Sequence, residues 1–184
     1  DMERIRREIL DKLNKEGIID CNRKLGFPPV PQRIAVISAA GAAGYGDFMN
    51  QLDNNPDGFK FYTHLFPAAM QGEKTSQSVR DALEMVESTI DLWDCVVIIR
   101  GGGATTDLNG FDDYDLARAV ALFPLPVAVG IGHERDRTVL DEIACMRCKT
   151  PTAVAAMLID SLRIAYTAAV ERVKKIARYS VEAM

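Results

Sequence analysis

Two short segments carry most of the side chains able to do chemistry. The first is Arg100-Gly101-Gly102-Gly103-Ala104-Thr105, three consecutive glycines behind an arginine. Glycine loses more conformational freedom on folding than any other residue, so a run of three needs a reason. It lets backbone N–H groups close on an anion, and the guanidinium fork matches phosphate oxygens. A plain tight turn is the competing reading, and the GxxxxGK[ST] spacing of a nucleoside-triphosphate loop is missing. The second segment is Gly130-Ile131-Gly132-His133-Glu134-Arg135-Asp136-Arg137-Thr138, a cluster of ionisable groups behind an apolar run. His133 can move a proton near neutral pH, and Asp136 can orient it or share the transfer. His64, the only other histidine, falls inside a strand pattern and reads as structural.

Two further segments are weaker on their own. Ser38-Ala39-Ala40-Gly41-Ala42-Ala43-Gly44 lets a ligand approach the backbone, and a helix N-terminus beyond it favours an anion. Asp47 falls in that helix's first turn, where compensation of the helix dipole alone would account for it. Thr150-Pro151 opens a helix as cap and first residue, which is a sufficient structural account. Cys145-Met146-Arg147-Cys148 lacks the second ligand pair of a zinc site, and reduced thiols are the expectation for all four cysteines.

These segments need strands to present them. Arg33–Ser38, Phe59–Phe66, Asp94–Ile99 and Pro126–Ile131 are short apolar runs, each followed by a loop and a helical pattern. The helices are expected from Glu3 to about Lys15, through Leu52, over Ser76–Ile90, over Tyr114–Phe123 with Asp112 or Asp113 as cap, and over Arg137–Met146. One long helix follows from Thr152, basic in its second half, on a coiled-coil-like spacing. Strand, loop and helix repeated four times predict an α/β fold: a mostly parallel sheet of about four or more strands with helices on both faces, ending in a long C-terminal helix. In such a sheet the loops after the strands gather at its carboxyl edge, where ligands bind.

Composition bounds the rest. The 184 residues suit one ordinary domain, and 48% hydrophobic with 26% charged residues excludes wholesale disorder. A net charge of −4 excludes a surface that draws polyanions as a whole, so any basic binding is local. No run of 18 consecutive apolar residues occurs and the charged start is no signal peptide, so no membrane and a cytoplasmic location are expected. A chain opening on Asp1 in mid-helix reads as a fragment.

Taken in order, these blocks resemble the catalytic core of the exodeoxyribonuclease VII large subunit, from about Ile18 to Ile159. The match takes in Gly41-Ala42-Ala43 with Asp47, then Gln71-Gly72, Arg100-Gly101-Gly102-Gly103, Asp107-Leu108 and Phe111-Asp112. It ends on Gly132-His133-Glu134 with Asp136, Thr138 and Asp141, and on Thr150-Pro151-Thr152-Ala153. The resemblance implies hydrolysis of single-stranded DNA from both ends to oligonucleotides. It gives Asp47, Arg100, His133 and Asp136 as active-site positions, with Ser38, Gly41, Gly101, Gly102, Gly103, Thr138 and Thr150 as candidates for holding phosphate and DNA. It also implies an OB-fold domain before this chain and, after it, a helical region that binds small subunits. Residues 1–30 are then an N-terminal helix and connector, 31–150 the catalytic core, and 151–184 the start of the long helix. Either no metal or Mg²⁺ is expected, with Asp47 and Asp136 as its ligands. Ala104, Thr106, Asn109, Cys145 and Ala156 stand where the family usually has Ser, Glu, Trp, Asp and Glu. Outside the resemblance two readings stay open: a phosphotransferase or sugar-phosphate enzyme using the Gly101–Gly103 loop, and a non-catalytic DNA-binding or assembly scaffold.

Overall fold

Side chains along the central strands are buried almost throughout and alternate between two cores. In the computed structural model, which describes residues 2–101, 105–132 and 137–183 with the backbone alone at 105–107, five strands form one wholly parallel sheet. They are β1 (Arg33–Ser38), β2 (Tyr62–Pro67), β3 (Cys95–Ile99), β4 (Val127–Gly130) and β5 (Met146–Arg147), in spatial order β2-β1-β3-β4-β5. Ala35, Ile37, Val96, Ile98, Val127 and Val129 face one apolar core; Ile34, Val36, Val97, Ile99 and Ala128 face a second. Strands buried on both faces must be apolar throughout, which is why β1 and β3 read as continuous runs.

Helices cover both faces, as expected. The first core is closed by α1 (Met2–Lys15), α4 (Thr75–Glu87), α5 (Tyr114–Ala121) and α6 (Val139–Ile143); the second by α3 (Ala43–Asp53) and α7 (Pro151–Glu182). Ile9 and Leu13 of α1 are buried in the first core, so the N-terminal helix is part of the same body. A short α2 (Cys21–Lys24) carries Asn22, fully buried, whose amide donates to the Phe123 and Leu125 carbonyls and accepts from Val127 and Cys145 N–H.

Three expectations are corrected. The second strand starts at Tyr62 rather than Phe59, because the Asn55 side chain bonds both the N–H and the C=O of Phe59 and folds that stretch into a turn. The helix expected to reach Met146 is only Val139–Ile143; Ala144 is extended, and Met146–Arg147 becomes a fifth strand beside β4. The helix over Ser76–Ile90 stops at Glu87, and a 3₁₀ turn at Ile90–Leu92 follows.

The long helix is present over 32 residues. Among the described residues it is the one helix long and apolar enough, by length and composition, to cross a membrane. Its first three turns owe that composition to packing, since Val154, Ala155, Leu158, Ile159 and Leu162 lie in the second core. Past Arg163 the Tyr166 ring still meets that of Phe59, and further along Val173, Ile176 and Tyr179 are exposed.

Candidate active site

The strand order reverses direction between β1 and β3, and the chain leaves those two strands toward opposite edges of the sheet. A crevice opens at their carboxyl ends, the place where open α/β sheets take ligands. Ser38 ends β1, the chain turns through Ala39–Ala42, and α3 begins at Ala43. Ala42 caps that helix with no side-chain hydrogen bond, which leaves its leading N–H groups without a side-chain acceptor and suited to an anion.

Glycines bring the segments together. A Cβ on Gly44 would lie 2.6 Å from Gly101 Cα and 3.0 Å from Pro151 Cγ, so the first turn of α3, the loop leaving β3 and the start of α7 touch. A Cβ on Gly130 would lie 2.9 Å from the Thr150 carbonyl and 2.6 Å from Val154, which seats the end of β4 against the same helix start. None of these three glycines has positive φ; close approach is what they supply.

Arg100 is 9% exposed and its Nε donates to the Met70 carbonyl at 3.1 Å. With Gly101 and Ala39, Ala42, Ala69 and Gln71 it lines a cavity of about 450 Å³. A guanidinium is charged at every accessible pH, so this is a standing positive charge at the crevice. Asp47 sits one turn further into α3 than expected because the helix starts early, at Ala43. Its side chain is exposed, makes no hydrogen bond or ion pair with any described residue, and lines a cavity of about 490 Å³ between α3 and α7 with Asn50, Gln51, Thr152, Asp160 and Arg163.

The other predicted residues fall into three groups. Ser38 is fully buried and its hydroxyl donates to the Ile99 carbonyl at 2.8 Å, tying β1 to β3 beneath the crevice. Thr150 caps α7, accepting from Ala153 N–H, and Thr138 caps α6 in a reciprocal arrangement with Asp141. Gly41 is exposed, with open space around it. His133, Asp136, Gly102 and Gly103 lie outside the described residues, as do Ala104 and the side chain of Thr106. Among the described residues no three His, Cys, Asp or Glu side chains cluster as metal ligands. His64 lies exposed on edge strand β2, against the rings of Phe66 and Trp93.

Two buried carboxylates, Asp112 and Asp141, fall in the matched blocks but are assigned no role at the site from sequence. Asp113 is the cap of α5, but its neighbour Asp112 turns away, accepting from Arg6 Nε at 2.7 Å and from Val139 N–H at 2.8 Å. Asp141 accepts from the N–H and hydroxyl of Thr138 at 2.7 and 3.1 Å. Burial pushes both carboxyls above the usual aspartate range, against hydrogen bonds that pull them down. Burial likewise pushes the Cys95 thiol up, away from any nucleophilic use.

Fold and crevice define an open parallel α/β domain with a buried arginine lining a cavity at the sheet's switch point. The particular family follows from comparison: residues 18–184 match the model for the exonuclease VII large subunit, and the chain belongs to that family. It is 37% identical over 161 residues to the exodeoxyribonuclease 7 large subunit of Cyanothece sp. (strain PCC 7425 / ATCC 29141), covering 88% of this chain and 37% of that protein. To the Deinococcus radiodurans protein of the same name it is 39% identical over 178 residues, 94% of this chain and 43% of that one. The chain thus spans about two fifths of the length of these relatives.

Proposed function

We propose that this domain is the hydrolytic core of an exodeoxyribonuclease that cuts single-stranded DNA from both ends and releases oligonucleotides. The observation that carries the reading is the meeting of α3, the Arg100-Gly101 loop and the start of α7 at the switch point, with Arg100 buried beside it. Water attacks the phosphorus, the P–O bond to the leaving nucleoside breaks, one water proton goes to a base, and the leaving oxygen takes up a proton. Arg100 and the N–H groups of Gly101–Gly103 hold the phosphate and stabilise the charge that builds on it. His133 moves the proton, with Asp136 or Asp47 orienting it or activating the water. If a Mg²⁺ takes part, Asp47 and Asp136 are its carboxylate ligands, and it supplies water activation when bound.

The net charge of −4 leaves single-strand grip to other parts of the full protein. In this reading an OB-fold domain supplies that grip, small subunits bind the helical region that α7 begins, and the enzyme works in the cytoplasm. The test is a release assay on 5′- and 3′-labelled single-stranded DNA, with Mg²⁺ or EDTA, using the full-length large subunit with its small subunit. Release from both ends that survives EDTA and is lost in Asp47→Ala and His133→Ala establishes metal-independent hydrolysis here. Loss in EDTA assigns Asp47 and Asp136 to a metal. An assembled complex that releases nothing refutes the reading.

A further inference from the structure

Two consecutive backbone N–H groups just behind the His133–Asp136 segment are held by buried carboxylates. Thr138 N–H donates to Asp141 and Val139 N–H to Asp112, whose side chains are 3% and 1% exposed. Each carboxylate faces an arginine from another element: Arg147 Nε of β5 lies 3.5 Å from Asp141, and Arg6 Nε of α1 lies 2.7 Å from Asp112. Helix capping explains Asp141, the third residue of α6. It does not explain Asp112, which stands 27 residues earlier in the chain, next to an aspartate that already caps α5. The leading N–H of a five-residue helix could be left to water, whereas burying a carboxylate to meet it is costly. The raised proton affinity that burial gives Asp112 reflects that cost. What the cost secures is the position of Val139, three residues past Asp136. The leading end of the same segment is fixed separately, where Gly130 packs against Thr150 and Val154.

We infer that Asp112, held by Arg6 of α1, is a positioning residue for hydrolysis: it anchors the trailing end of the segment that carries His133 and Asp136. The inference rests on the hydrolytic reading above. Misplacing a reacting group by about 1 Å can cost on the order of 100-fold in rate. Loss of this anchor therefore acts on turnover and leaves DNA binding, made elsewhere in the full protein, nearly intact.

The experiment uses the full-length large subunit assembled with its small subunit and end-labelled single-stranded DNA. Asp112→Ala is expected to lower kcat at least about tenfold with KM within about threefold, since the lost contact orients rather than binds. Asp112→Asn, whose amide oxygen still accepts from Val139, recovers part of that loss. Arg6→Gln lowers kcat in the same direction and Arg6→Lys restores it; this pair carries the test if Asp112→Ala does not fold. Wild-type kcat in a folded Asp112→Ala, or a loss confined to KM, overturns the inference. Asp47→Ala and His133→Ala run alongside: if both cut normally the site reading itself has failed, and if both are dead while Asp112→Ala is normal only the positioning role has.

Discussion

The substitution Gly44→Ala tests whether the contact between α3 and the Arg100-Gly101 loop sets the site's geometry. The added Cβ would stand 2.6 Å from Gly101 Cα and 2.9 Å from Gly101 N, where ordinary contact begins at 3.4 Å. Both obstacles are backbone, so neither can rotate away, and Pro151 Cγ at 3.0 Å closes a third direction. The two segments must part by about 1 Å, and overpacking of this kind costs about 1–3 kcal/mol. Alanine returns up to about 1 kcal/mol of helix propensity, so the net loss of stability is modest. Activity is the sharper readout: a 1 Å shift between the Arg100-Gly101 loop and Asp47 is expected to lower kcat by on the order of 100-fold. Gly46→Ala is the matched control, two residues along the same helix with nothing within 4 Å of its Cβ. It should keep wild-type kcat and gain about 1 kcal/mol, raising Tm by about 2–4 °C for a domain of this size. The assay is labelled single-strand cleavage by the assembled complex, with a thermal melt of each variant. A Gly44→Ala enzyme that cuts and melts like its parent would refute the claim that this approach positions the site.

Asn22→Ala strips partners from two buried carbonyls and two N–H groups. At about 1–3 kcal/mol for each group left unmet, a denaturant melt should show a loss on the order of 3 kcal/mol or more, and a loss below 1 kcal/mol would contradict the bonding described. Burial pushes the Asp94 carboxyl up, but the Arg33 side chain and the backbone N–H groups of Arg33 and Gln32 outweigh it, so its native pKa is lowered. The stability it contributes is then whole above the ordinary aspartate value and lost as pH falls through the native one. Asp94→Asn should therefore lower Tm at neutral pH and match wild type in strongly acid buffer; a gap independent of pH would count against the pairing. Asp112 and Asp141 work in the opposite sense, because the native state binds their protons more tightly than the unfolded chain does. The cost of their ionisation is relieved as pH falls from neutral through their native values, and carboxyl-carbon NMR should place both midpoints above the ordinary aspartate range. Midpoints at or below that range would show that the two groups are not desolvated as described.

How far the sequence discloses this molecule depends on whether the determining interaction is local. β1 and β3 are legible because covering on both faces demands an unbroken apolar run, and any polar residue punctuates it. β5 is illegible: two residues pair with Ala128 and Val129 only because β4 already lies there. Arg6 and Asp112 meet across 106 positions, and nothing in either neighbourhood marks the other. The glycines fall between these cases. Their presence in the loops reads from sequence, but their purpose does not, because a glycine supplying a positive φ looks the same as one leaving room for a neighbour. Among the described residues the positive-φ glycines are Gly17, Gly26, Gly58 and Gly72, none of which makes these close contacts. Gly44, Gly101 and Gly130 instead let two strand ends, of β3 and β4, and two helix starts, of α3 and α7, come into contact. Each block on its own is compatible with a turn or a cap. Their missing side chains are what allow α3, the loop after β3 and the start of α7 to meet, and Arg100 and Asp47 each line a separate cavity beside that meeting.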